Sequence, residues 1–119
     1  SSMSPTIVFR DGKPWLATGS PGGSRIITTV LQTLLNAMAF DMNVAAAGMN
    51  SRIHHQWLPD EILAESGISP DTVNLLQQKG HKVVLGVQTI GRTQSIVLED
   101  GWLLGATDTR RPQGWVAGY

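Results

Sequence analysis

Trp15-Leu16-Ala17-Thr18-Gly19-Ser20-Pro21-Gly22-Gly23-Ser24 runs straight into a segment in which Ile27, Leu31, Leu34 and Met38 recur at helical spacing, with Ile26, Val30 and Leu35 beside them. The change of apolar period predicts a strand, a glycine turn and an amphipathic helix of about four turns. Upstream, Thr6-Ile7-Val8-Phe9 is a second run rich in β-branched and aromatic residues, and Asp11-Gly12 between the two suits the positive φ of a tight turn. These features predict a β-hairpin.

Downstream, residues 44–48 read as helical or irregular, and residues 52–58 as extended up to Pro59. Ser69-Pro70-Asp71 is a strong helix start, because serine caps, proline fits the first turn and aspartate favours the positive end of the dipole. The helix is expected to run to Lys79 and stop at Gly80. Residues 82–87 read as a strand, and residues 93–98 pair with residues 102–106 across Glu99-Asp100-Gly101 as a second hairpin. Two hairpins with apolar residues on both faces, together with two helices, predict a mixed α/β sandwich layer covered on both sides.

With 119 residues, 41% of them hydrophobic, the chain is of a size for one domain with a core of its own. Nine basic residues balance nine acidic ones and are scattered, which points away from nucleic acid as a partner. The longest apolar helical stretch is interrupted by Thr28, Thr29, Gln32 and Thr33, short of the roughly 20 residues a membrane span needs, so no membrane association is expected. Cysteine is absent, which excludes a disulfide framework, a thiolate metal site and a cysteine nucleophile. The chain opens on Ser1-Ser2-Met3-Ser4-Pro5, without an initiator methionine or a leader pattern, and reads as a piece that starts in mid-protein.

Among residues able to carry chemistry, the glycine turn is the most informative. Consecutive glycines between a strand and a helix let two backbone N–H groups converge with no side chain in the way, as an oxyanion site requires. The turn lacks the lysine and spacing of a phosphate-binding loop, and spacing alone also fits an ordinary tight turn. Ser1 and Ser2 offer adjacent hydroxyls suited to a carboxylate, although serine-rich ends are commonly solvated loops. His54 and His55 are neighbours on a stretch read as extended, so they point to opposite faces and are poorly placed to share one metal ion. Asp108, Arg110 and Arg111 are read as a structural ion-pair network rather than a solvated turn.

Taken in order, S-S-M-S-P at 1–5, T-G-S-P-G-G-S-R at 18–25, H-H-Q-W-L-P-D-E at 54–61 and A-G-Y at 117–119 resemble the small subunit of bacterial γ-glutamyltransferases, of the N-terminal-nucleophile hydrolase class. The resemblance covers nearly the whole chain. It implies a four-layered αββα sandwich and a precursor that cuts itself into two subunits, exposing an N-terminal threonine upstream of Ser1 as nucleophile and base. That threonine attacks the γ-glutamyl amide of glutathione and passes the acyl group to water, an amino acid or a peptide.

By the same resemblance, Ser1 and Ser2 bind the α-carboxylate of the γ-glutamyl group, and the Gly22 and Gly23 amides form the oxyanion hole. No cofactor or metal is implied. The expected partners are the large subunit, the remainder of the small subunit, γ-glutamyl donors and amine acceptors, in the periplasm or outside the cell. Residues 1–119 then make up a single domain, the C-terminal fragment of the small subunit, inactive alone and prone to self-associate. Two departures from the family pattern look structural: no proline precedes Arg52, and Asp108-Thr109-Arg110 replaces Asp-Pro-Arg. The alternatives are a related acylase of the same fold and a non-catalytic, self-associating module.

Overall fold

A computed structural model describes residues 2–110 and 114–118. The chain forms two compact units, one of residues 1–50 and 91–119, the other of residues 51–90.

In the first unit, β1 (Thr6–Arg10) and β2 (Lys13–Gly19) form the expected hairpin, with Asp11 at φ 51° and Gly12 at φ 74° in its turn. β6 (Gln94–Glu99) and β7 (Trp102–Thr107) form the other, with Asp100 at φ 50° and Gly101 at φ 79°. Positive φ at both central residues matches the right-handed twist of the flanking strands. β2 pairs antiparallel with β6, which joins the hairpins into one sheet of order β1-β2-β6-β7. Thr18 and Ser95, opposite each other in this register, share a buried hydroxyl hydrogen bond of 2.7 Å.

After a 3-10 turn at Gly23–Arg25 come α1 (Ile26–Met38) and α2 (Val44–Met49). Both cover the face of the sheet that carries Leu16 and Val97, where Ala37 and Ala47 complete a core flanked by Val8, Trp15, Leu34 and Met42. Full burial of a side chain such as Leu16 contributes about 1.5–3 kcal/mol. Thr29 and Thr33 are buried on the same helix because their hydroxyls donate one turn back, to the Arg25 and Thr29 carbonyls at 2.8 and 3.0 Å.

Within this chain the helices cover one face of the sheet, and the other face stays largely exposed, as expected of one layer of a larger sandwich. Period 2 places Ile7, Ala17, Ile96 and Leu103 together there, and Ile7, Ile96 and Leu103 are 63%, 50% and 73% exposed. Among the described residues, two segments approach this face: a Cβ built on Gly105 would lie 2.8 Å from Val116, and one built on Gly19 would lie 3.2 Å from the Met3 carbonyl oxygen.

The second unit holds β3 (Ile53–His54), β4 (Ile62–Glu65) and β5 (Val83–Val87), with α3 (Pro70–Gln78) linking the parallel pair β4 and β5. The Ser69 side chain caps α3 by accepting from the Thr72 amide, and Gly80 follows the helix at φ 91°. Only two residues of the stretch read as extended at 52–58 join the sheet. The His55 ring accepts from the Trp57 amide at 3.1 Å and bonds Asp60 at 3.0 Å, which turns the chain away. β4 is absent from the sequence reading, since four residues are too few to show a period even with Pro59-Asp60 before them and Ser66-Gly67 after them. Its last residue, Glu65, accepts from the Arg52 and Ile90 amides at 2.9 and 2.8 Å, and thereby fixes both ends of the unit.

Candidate functional site

The strand-to-helix turn is built by its own residues. β2 ends at Gly19, and Pro21, which has no N–H, cannot extend a ladder. Gly22 then takes φ 149°, ψ 15° and Gly23 φ 61°, both in territory that favours glycine. The two glycines are needed for different reasons. A Cβ on Gly22 would lie 3.2 Å from the Cα of Gly91, so this residue is packed back to back with another stretch of main chain. A Cβ on Gly23 would meet nothing within 4 Å, so the turn is open on that side. Among the described residues, no hydrogen bond engages the amide of Gly22 or of Gly23. Two such donors side by side at a helix start can hold an oxygen on which negative charge develops.

The serine-rich start of the chain is tied to this turn. The Ser20 amide donates to the Met3 carbonyl at 2.9 Å, and the Thr6 hydroxyl donates to the Ser4 carbonyl at 3.0 Å. These bonds hold Met3 and Ser4 at φ 61° and 42°, a conformation that costs a residue with a side chain about 1–2 kcal/mol. Ser2 precedes Met3 and is exposed; Gly22 stands two residues beyond Ser20. Ser2 and the glycine pair therefore sit on two segments joined by one short hydrogen bond. Ser1 lies outside the described residues.

A groove of about 820 Å³ runs along the bare sheet face, lined by Ser2, Ile7, Ala17, Ile96, Leu103 and Trp115 among others. It reaches Ser2 but not Gly22 or Gly23. Its lining is mostly apolar and belongs to the exposed sheet face.

His54 is buried and its Nε2 bonds the Gln56 side chain at 3.0 Å, while His55 faces Asp60. Among the described residues, no group of three or more histidine, aspartate or glutamate side chains is placed to hold a metal. Asp108 and Arg110 form the buried network expected of them: both Asp108 oxygens accept from Arg110 Nη1 at 3.0 Å, and Arg110 also donates to the carbonyls of Gly48 and Asn50. Arg111 lies outside the described residues.

Sequence reasoning passed over Ser20 and Gly91. Ser20 is fully buried, its hydroxyl accepts from the Arg92 amide at 2.8 Å, and Gly91 at φ 68° packs against it. The only local signal was a glycine between Ile90 and Arg92 with no turn period around it.

Comparison with known proteins gives a consistent result. A family model described as gamma-glutamyltranspeptidase matches residues 1–118. Over all of this chain, the glutathione hydrolase proenzyme of Escherichia coli (strain K12) is 58% identical; the chain spans 20% of that relative's length. The structure also superposes on gamma-glutamyltranspeptidase from Helicobacter pylori with a TM-score of 0.87 at 41% identity, covering 93% of this chain and 62% of that one. An acivicin-inhibited gamma-glutamyltranspeptidase gives 0.88 at 42% identity, covering 93% and 61%.

Proposed function

The chain belongs to the gamma-glutamyltranspeptidase family, and from that premise we propose that it supplies the carboxylate-binding and oxyanion-stabilising part of a γ-glutamyl-transferring active site. The nucleophile is an N-terminal threonine upstream of Ser1. Its oxygen attacks the γ-carbonyl carbon of glutathione, its own amine takes the proton, and the carbonyl oxygen becomes an anion between the amides of Gly22 and Gly23. Collapse expels the peptide amine, and water or an acceptor amine then takes the acyl group. Ser1 and Ser2 hold the α-carboxylate throughout. Residues 1–119 act as one C-terminal piece of the small subunit, with the large subunit and the rest of the small subunit as partners, in the periplasm or outside the cell.

One observation carries this reading: a pair of unengaged glycine amides on a turn hydrogen-bonded to the segment that bears the serines. Among the described residues of the first unit, no other cluster combines donors, an open side and a tie to the segment of Ser2. The bare sheet face supports the same reading, as the surface on which the remaining layers of the sandwich pack.

Replacing Ser1 and Ser2 together by alanine in the full-length, self-processed enzyme tests it. Each charge-assisted hydrogen bond lost costs about 1.5–3 kcal/mol, so kcat/KM for a γ-glutamyl donor is expected to fall by about tenfold or more. The loss should appear mainly in KM, because the carboxylate is bound before and during the reaction. An unchanged kcat/KM would show that the serines do not touch the substrate. The 119-residue chain by itself is expected to show no turnover of a chromogenic γ-glutamyl anilide, since no residue in it replaces the activated threonine; measurable turnover would refute the upstream nucleophile.

A further inference from the structure

The first unit contains a buried side chain that the chemistry above does not use. Ser20 is completely buried and makes three hydrogen bonds with three separate pieces of main chain. Its hydroxyl donates to the carbonyl of Pro21 at 2.7 Å and accepts from the amide of Arg92 at 2.8 Å, while its amide donates to the Met3 carbonyl at 2.9 Å.

The bond to Pro21 has a geometric consequence for the next residue. The Pro21 carbonyl and the Gly22 N–H belong to one peptide plane, which is trans, so the two groups point in opposite directions along it. Drawing the carbonyl back to the Ser20 hydroxyl therefore turns the Gly22 N–H the other way. The bond from Arg92 adds a support behind the turn. It holds the 91–92 main chain against Ser20, close enough that a Cβ on Gly91 would lie 2.8 Å from the Ser20 hydroxyl and one on Gly22 would lie 3.2 Å from the Gly91 Cα.

We infer that Ser20 is a positioning residue: it aims the Gly22 amide and keeps the glycine turn in register with the segment of Ser2. The inference rests on the proposed oxyanion role of the glycine pair. Ser20 touches no substrate and acts only through main-chain groups.

The test is kcat and KM for a γ-glutamyl anilide in full-length Ser20→Ala and Ser20→Cys, per processed enzyme, with processing read on a gel and folding by thermal melt. Removing the donor frees the Pro21–Gly22 peptide plane to rotate, so Ser20→Ala is expected to lower kcat by about tenfold or more while KM changes by less than about threefold. Ser20→Cys keeps a weaker donor at the same position and is expected to recover part of that loss. A normal kcat in folded, processed Ser20→Ala overturns the inference, as does equal damage in the alanine and cysteine variants. Gly23→Ala, measured alongside, separates the two levels. If it loses kcat and Ser20→Ala does not, only the role of Ser20 falls; if neither loses kcat, the oxyanion reading itself fails.

Discussion

Gly23→Ala in the full-length, self-processed enzyme is expected to reduce kcat by up to about 10²-fold with little change in KM. The size of the effect follows from when the interaction forms. An oxyanion exists only as the tetrahedral intermediate is approached, so a donor displaced from it weakens the transition state and leaves ground-state binding alone. Gly23 suits this experiment better than its neighbour. At φ 61° a methyl group strains the backbone and tilts the amide, but no atom lies within 4 Å of the new Cβ, so packing is untouched. At Gly22 the methyl would meet the Gly91 main chain at 3.2 Å, and a failure to fold or self-process would imitate a catalytic defect. If the turn were only a turn, Gly23→Ala would cost about 0.5–1 kcal/mol or somewhat more in stability and leave the folded enzyme active. A folded, processed variant with normal kcat would end the oxyanion assignment for Gly23.

The largest effect on stability is expected at Asp108. Its carboxylate is fully buried, accepts from Arg110 Nη1 through both oxygens and from the Thr93 amide at 3.3 Å, and its own amide donates to the Thr93 carbonyl at 3.0 Å. One residue thus clasps the start of β6 to the end of β7. It also holds Arg110 where the guanidinium reaches the Gly48 and Asn50 carbonyls, at the helix end where α2 leaves carbonyls without intrahelical partners and presents partial negative charge. Asp108→Ala strands a guanidinium whose side chain is only 13% exposed, and removing one partner of a buried pair costs about 3–5 kcal/mol. Asp108→Asn keeps an acceptor for Thr93 and is expected to lose less. The measurement is the urea midpoint of the full-length variants, and a loss below about 1 kcal/mol for the alanine change would show that the network is not supporting this end of the sheet.

How much was legible in advance can be followed through particular residues. Asp11-Gly12 and Asp100-Gly101 announced both hairpins because positive φ at adjacent positions is a local demand that few residue types meet. Ser69-Pro70 announced α3 for a similar reason, since capping and a fixed φ act within one turn. The glycine turn was visible as well, because two consecutive glycines between a strand and a helix mark a local demand for unusual φ. β4 was not visible, because its pairing with β3 and β5 draws on residues up to about twenty positions away and its four residues carry no period of their own. What lies against the second sheet face was not legible: apolar alternation tells which side chains seek cover and carries no information about which segment provides it.

The sequence by itself therefore determined the local elements, the family and the residue types at the candidate site, all of which depend on short-range steric and hydrogen-bonding preferences or on the order of short motifs. Only the tertiary structure decided that residues 3 and 20 are hydrogen-bonded, that Gly91 backs Gly22, and that a buried serine hydroxyl anchors the peptide plane of the first glycine. The physical reason is that hydrogen bonds and close main-chain contacts between segments 17 and about 70 residues apart leave no periodic trace in composition. They exist once the sheet has brought β2 and β6 together, and the aim of an amide is fixed by that placement rather than by the glycine that carries it.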